Sequence, residues 1–275
     1  MDISFEKVGI TAFVIAEWRA LETESPTPLF LDHIANIFLS KETKEIAEKI
    51  AQASASTQFL VRYRTRFFDD LFIQRMNNGV RQFCILGSGL DTRSIRLATD
   101  DVRFFEVEQE QVISFKRQKL QEQGYSLENN AYVDADYTKV EFMEALIAQG
   151  FDPNLKTLFL WEGNVFYLLY EHIISVINTI NQYVPSFELA FDYLSDKLIK
   201  RSTGYDQSEH LLEGFASLGA PWQTGIGDIQ RIANETNTAV QRNFLIADYV
   251  NQRNDTFAVD RDLLDDYYIC LLTNK

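Results

Sequence analysis

The spacing of apolar residues changes character near position 80. Before it, apolar positions recur at three- and four-residue intervals, which predicts helices over Thr11–Leu21, Lys41–Gln52 and Gln58–Met76. The first ends before Ser25-Pro26-Thr27-Pro28, Leu29–Asp32 reads as a short anchored turn, and Asn77-Asn78-Gly79 closes the third helix. From Arg81 onward, short apolar runs alternate with helical stretches. The runs predict strands at Arg81–Leu86, Arg103–Glu108, Asn130–Asp134 and Thr157–Trp161. The helical stretches are Thr92–Thr99, Gln109–Gln123, Thr138–Gln149 and Tyr170–Tyr183, and Phe187–Leu194 is a fifth strand. Such alternation implies right-handed βαβ units and a mostly parallel sheet.

The N-terminal helices precede the first strand, so they are not crossovers. Residues 1–78 are expected to pack beside the sheet or over its carboxyl edge as a helical lid. Residues 79–275 are expected to form a Rossmann-like α/β domain. After residue 195 the rhythm breaks, with Gly204, Gly214, Gly219, Pro221, Gly225 and Gly227 between helical pieces. That stretch, about 196–240, reads as an insertion completing the lid. Phe244–Val250 and Tyr267–Thr273 then read as closing strands of a seven-stranded sheet, the last antiparallel at one edge.

Composition narrows the function classes. At 275 residues, 46% hydrophobic and 13% aromatic, the chain has material for one large domain or a domain with a lid. A net charge of −14 opposes nucleic acid and anionic membrane surfaces, both of which call for clustered Lys and Arg. The two cysteines, Cys84 and Cys270, each lie in an apolar run, which argues against a disulfide framework or a thiolate metal site. They fit a reducing cytoplasm. The N-terminal MDISFEKVGI lacks the basic start and long apolar run of a secretion signal, and no apolar run is long enough to span a membrane, so a cytoplasmic location is expected.

In open α/β sheets, ligands bind outside the carboxyl ends of the strands. The first strand ends in Gly87-Ser88-Gly89-Leu90-Asp91, a glycine turn that lets backbone approach a ligand; Thr92 stands where a dinucleotide fingerprint has a third glycine. Glu106 and Glu108 lie 19 and 21 positions beyond Gly87. An acid about 20 residues on grips a ribose, because a carboxylate accepts two hydrogen bonds. Glu108 is nearer the strand end and is preferred. After the third strand, Asp136 is placed either to accept from an adenine amino group or to cap the following helix, with Tyr137 placed to cover the ring. The apolar fourth strand runs into Glu162, an expensive position for an acid without a task or a partner. Four successive strand ends in glycine or acid point to an adenosine-type cofactor.

The segments LGSGLDTR, FFEVE, YVDADY and LFLWEGNVFYL resemble the leucine carboxyl methyltransferase family, a branch of the class I S-adenosylmethionine-dependent methyltransferases. That family includes protein phosphatase C-terminal methyltransferases and many bacterial O-methyltransferases of small metabolites. ITAFVIAEWRALETESPTPLFLD and VRYRTRFFDD resemble its bacterial branch. The likeness runs from about residue 10 to 195, and little beyond matches. It implies a class I methyltransferase fold with S-adenosyl-L-methionine as cofactor. Arg64 then matches the arginine that holds the cofactor's carboxylate, with Arg62 and Arg66 as near alternatives. Gly87, with Ser88, Gly89 and Asp91 in the same turn, underlies the methionine part. Glu108 matches the ribose acid, often Asp in the family, and Asp136 and Tyr137 match the adenine contacts. Glu162 matches the acid near the cofactor's amino group and the acceptor, and Tyr167 stands where a tyrosine often lines the transfer pocket.

A carboxylate acceptor needs no general base, whereas a hydroxyl acceptor does. His33 and His172 read as surface positions. His210, in the lid insertion beside Glu209, is the candidate base. No metal-ligand spacing occurs. Tyr205, Phe215 and Trp222 suit either a hydrophobic acceptor or ordinary core. The expected activity is therefore O-methylation of a carboxylate or hydroxyl on a small molecule of natural-product metabolism. The alternatives are carboxyl methylation of a protein C-terminus, an NAD-dependent oxidoreductase, or a non-catalytic nucleotide-binding relative.

Overall fold

The computed structural model describes residues 9–217, 219–253, 255, 259 and 263–275. Residues 1–8 of the expected lid and residue 218 of the insertion lie outside them, as does the side chain of Glu209.

Helices α1 (Ile10–Thr23), α2 (Lys41–Ala53) and α3 (Ala55–Asn77) precede the sheet. The parallel strands are β1 (Gln82–Leu86), β2 (Arg103–Glu108), β3 (Asn130–Asp134), β4 (Thr157–Trp161) and β5 (Phe187–Leu194). Between them run α4 (Arg93–Arg96), α5 (Glu110–Glu122), α6 (Phe142–Ala148) and α7 (Tyr170–Tyr183). After β5 come α8 (Asp196–Ile199), α9 (Asp206–Ser217), α10 (Ile229–Glu235), β6 (Thr238–Leu245), α11 (Ile246–Gln252) and β7 (Tyr267–Asn274). The seven strands stand in the order β3-β2-β1-β4-β5-β7-β6. β1 to β5 pair in parallel, and β7 is antiparallel to both β5 and β6.

The core follows from strands buried on both faces, whose side chains alternate between two layers. Phe83 and Ile85 of β1 face a cluster with Phe68 and Phe72 of α3 and Phe104 of β2. Cys84 and Leu86 face the opposite cluster, with Phe142 of α6, Ile177 of α7 and Ile232 of α10. Phe72 stacks on Phe83 at 5.0 Å between centroids, and Phe83 on Phe104 at 5.5 Å. Helix α3 is therefore a core layer on one sheet face as well as a contributor to the sheet's carboxyl edge. A third cluster joins Phe13 and Ala16 of α1 to Leu90, just beyond β1, and Leu120 of α5, holding α1 over the β1 turn.

Two expectations at the C-terminus are corrected. The predicted strand Phe244–Val250 is the end of β6 followed by α11. Ile246, Ala247 and Val250 are buried at helical spacing, while the strand reaches back to Thr238 through a bulge between Val240 and Arg242. β7 is antiparallel as expected, but it lies inside the sheet, and β6 forms the edge. Helix α4 is shorter than predicted because Leu97 leaves the helical backbone region, and α6 begins at Phe142 rather than Thr138.

Among the described residues, no helix is long and apolar enough to cross a membrane. Cys84 and Cys270 are free and buried, and burial pushes both thiols up.

Candidate active site

A cavity of about 470 Å³ opens at the carboxyl edge of β1, β2 and β4, within the size range of small-ligand pockets. Its polar lining includes Gly87, Ser88, Gly89, Asp91, Glu108 and Glu162. Its apolar and aromatic lining includes Trp18 of α1, Leu60 of α3, Phe166, Tyr167, Phe215 and Trp222. Arg64 and Tyr267 also line it.

The β1 turn is shaped by glycine. Gly87 has φ +61°, and a Cβ there would lie 2.6 Å from Asn164 Oδ1. Gly89, at φ +46°, donates its N–H to Glu108 Oε2 at 3.0 Å, so the ribose candidate on β2 is tied to the glycine turn. Glu108 Oε1 accepts from the Gln109 N–H at 2.8 Å. Glu106, the other acid on that strand face, is fully buried against Lys116 and accepts from Ser94 and Asn130. It is absent from the cavity lining, which leaves Glu108 as the acid at the site.

A continuous chain of buried ions includes Arg19, Arg64, Asp91 and Glu162 of the cavity lining. Arg19 pairs with Asp32, Asp32 with Arg96, and Arg96 with Asp69. Asp69 pairs with Arg93, Arg93 with both Asp91 and Glu162, Glu162 with Arg64, and Arg64 with Asp192. Five acids and four arginines leave one negative charge in excess. Buried ions of this kind persist only when each is paired and hydrogen-bonded. Burial raises the Asp91 carboxyl, but Arg93 foremost, then Arg19 and Lys116, outweigh it and hold the group below the usual carboxylate range. Asp192 goes the other way. Burial pushes it up, Glu162 adds to that, and Arg64 offsets only part. Arg64 itself is held above its ordinary value by Tyr267, Glu162 and Asp192 against the cost of burial.

The residues singled out from sequence fall into two groups. Arg64, Gly87, Ser88, Gly89, Asp91, Glu108, Glu162 and Tyr167 all line the cavity. Asp136, Tyr137 and His210 do not. Asp136 is exposed and accepts from the N–H and hydroxyl of Thr138 in the turn before α6; it does not cap that helix, whose N-cap position is Glu141. Tyr137 stands behind the lining, donating to Asn164 Oδ1 at 3.3 Å and packing edge-on to Trp161. His210 is exposed on α9, whose inward side carries Leu211 and Leu212. The insertion reaches the cavity instead through Phe215 and Trp222, stacked 4.5 Å apart. Arg62 and Arg66 pair with Glu22 and Asp70.

Sequence reasoning passed over Arg93, Asn164, Asp192 and Tyr267. Arg93 sat within LGSGLDTR, and its position two residues after Asp91 was the available signal. Asp192, an acid inside the apolar run FELAFDYL, was open to the same test that singled out Glu162. Asn164 and Tyr267 carried no local signal.

Comparison with known proteins bears on family and fold. The model of the leucine carboxyl methyltransferase family matches residues 12–181. A Mycobacterium leprae protein, provisionally named an S-adenosyl-L-methionine-dependent methyltransferase, is 32% identical over 213 residues, covering 74% of this chain and 70% of that one. Among solved structures, a DUF574-family protein of Streptomyces avermitilis superposes with a TM-score of 0.63 at 13% identity, over 94% of this chain and 97% of that one. Magnesium protoporphyrin IX methyltransferase of Synechocystis, solved with bound SAH, gives 0.50 at 13% identity over 87% and 92%. At those identities the structures speak for the fold alone, a class I methyltransferase sheet. With more than half its length matched, the chain belongs to the leucine carboxyl methyltransferase family, whose members are S-adenosylmethionine-dependent methyltransferases.

Proposed function

We propose that this methyltransferase transfers a methyl group from S-adenosylmethionine to an oxygen of a small, largely apolar molecule. The observation that carries the reading is the mixed lining of the cavity. Its polar residues come from the carboxyl ends of β1, β2 and β4, and its aromatic ones from α1, the segment after β4 and the insertion.

The residues present fit the cofactor. Ser88 Oγ and Trp18 Nε1 are buried polar atoms without a hydrogen-bond partner among the described residues, and both residues line the cavity. Such groups are costly unless a ligand satisfies them. The excess negative charge of the ion chain also matches a ligand whose amino-acid end is neutral overall and whose sulfonium is permanently positive. On this reading Arg64 holds the carboxylate, Glu162 lies by the amino group, and Glu108 takes the ribose hydroxyls. Asp136 and Tyr137, after β3 and outside the cavity lining, are the sequence candidates for the adenine end.

Bound S-adenosylmethionine supplies an activated methyl group. The chain's own part is to orient donor and acceptor and to exclude water. Phe215 and Trp222 belong to the aromatic lining of the cavity. The strap that carries Trp222 is fastened by Gln223, whose N–H donates to Phe166 O at 2.7 Å and whose Nε2 donates to Tyr167 O at 2.6 Å. We assign the lid role to α1, α2 and this insertion, and the acceptor to the space they cover.

Calorimetric titration with S-adenosylmethionine, S-adenosylhomocysteine and NAD in parallel tests the cofactor. Micromolar binding of the adenosyl ligands with none for NAD is the expected result, and binding of NAD alone overturns the reading. Transfer of labelled methyl from S-adenosylmethionine across a panel of apolar alcohols, phenols and carboxylic acids tests the acceptor class. Product formed only on amines or thiols would refute oxygen as the acceptor.

A further inference from the structure

Three chain segments converge on the guanidinium of Arg64: 162–163, Asp192 and Tyr267. Nε donates to Glu162 Oε1 at 2.8 Å, and Nη1 donates to Asp192 Oδ2 at 3.0 Å and to the Tyr267 hydroxyl at 2.8 Å. The Tyr267 hydroxyl in turn donates to Asp192 Oδ2. The other Asp192 oxygen accepts the Gly163 N–H at 2.6 Å. Gly163 has φ +72°, and a Cβ there would stand 3.4 Å from Nη1 and 3.5 Å from Nη2, so bare backbone lies against the guanidinium. No hydrogen bond to a described residue uses Nη2.

This is more fixation than charge balance requires. Glu162 alone neutralises Arg64, yet a second carboxylate, completely buried, is brought up on β5, and a tyrosine from β7 bonds both that carboxylate and Arg64. Two carboxylates close to one arginine raise each other's cost of ionisation, and an apolar residue at 192 would avoid that cost. What the arrangement achieves is geometric. A planar fork binds a carboxylate well only when its plane is fixed. Here Nε and Nη1 are both occupied, which sets the plane and leaves Nη2 for a ligand.

We propose that Asp192 and Tyr267 are positioning residues that hold Arg64 with Nη2 turned to the carboxylate of the cofactor's amino-acid end. The proposal rests on the reading of Arg64 given above. It adds a β5–β7 clamp whose effect is confined to one part of the ligand.

That confinement supplies the test. S-adenosylhomocysteine carries the amino-acid end, whereas 5′-methylthioadenosine keeps the adenosine and the thioether and lacks it. Wild-type protein and the variants Tyr267→Phe and Asp192→Asn are titrated with both, and folding is checked by far-UV circular dichroism. The expected result is at least a tenfold loss of affinity for S-adenosylhomocysteine in each variant, with affinity for 5′-methylthioadenosine held within twofold. Equal weakening of both ligands would mean a merely structural role and overturn the proposal, as would unchanged affinity for S-adenosylhomocysteine. Tyr267→Phe removes one oxygen and leaves both ion pairs of Arg64 in place, so it decides the matter if Asp192→Asn does not fold. Wild-type protein that binds neither ligand removes the cofactor reading itself. Wild-type protein that binds both equally removes the Arg64 contact, and the clamp with it.

Discussion

Gly87 leaves room for one side chain at the end of β1, and Asn164 from the turn after β4 fills it. A Cβ on Gly87 would meet Asn164 Oδ1 at 2.6 Å and Nδ2 at 2.8 Å. Asn164 Nδ2 donates to Gly87 O at 3.2 Å and to Glu162 O at 2.7 Å, so the two strand ends that frame the cavity are fastened to each other. Gly87→Ala must displace Asn164 and also hold alanine at φ +61°, a left-handed backbone that costs an L-residue about 1–2 kcal/mol. The expected outcome is a folded protein by circular dichroism whose S-adenosylmethionine affinity drops at least tenfold in calorimetry.

Arg64→Ala is expected to weaken S-adenosylmethionine at least tenfold, about 1.4 kcal/mol. It also strands Asp192, while Glu162 keeps Arg93, and breaking a buried pair from one side costs about 3–5 kcal/mol. Arg64→Lys keeps the charge and loses the fork. Its urea midpoint should therefore lie nearer wild type than that of Arg64→Ala, while its affinity loss remains. Affinity equal to wild type in Arg64→Lys would show that the carboxylate is held elsewhere.

Glu106 and Glu108 share a face of β2 and have different work. Glu106→Gln removes the partner of Lys116, which is 1% exposed, and is expected to lower stability by several kcal/mol, on the order of a broken buried pair. Glu108→Gln leaves no buried charge unpaired and is expected to lower cofactor affinity with little change in the denaturation midpoint. Chemical denaturation and ligand titration of the two variants side by side separate the roles. The reverse pattern would exchange them.

Asp91 gives the protein an acid-sensitive joint. Its folded carboxyl titrates below the unfolded value of about 3.9 because Arg93 and its neighbours outweigh burial. The ionised form thus contributes stability that is fully present above about pH 5 and is lost as pH falls through the unfolded value toward the folded one. Asp91→Asn lacks that contribution. The stability difference between wild type and variant should be constant from pH 7 to about 5 and narrow below about pH 4. A gap that widens on acidification would contradict the assignment.

Much of the architecture was legible before folding because it is local. Arg103–Glu108, Asn130–Asp134, Thr157–Trp161 and Phe187–Leu194 read correctly to the residue because each is a short apolar run bounded by polar or glycine positions. Phe244–Val250 misled because the end of β6 runs directly into an apolar helix, and over seven residues strand and helix spacing are not separable.

The sequence by itself determined the alternation that makes a mostly parallel sheet, the glycine turn after β1, and the acids Glu108 and Glu162 at the strand ends, since each is written in consecutive residues. Only the tertiary structure decided which charges meet. It set Arg64 of α3 between Glu162 and Asp192, turned Tyr267 of β7 onto the same guanidinium, and put Asn164 into the space left by Gly87. Those partners lie 77 to 203 residues apart. Nothing in the local spacing of a chain records such distances, because the energy of a buried ion depends on which opposite charge the fold brings beside it.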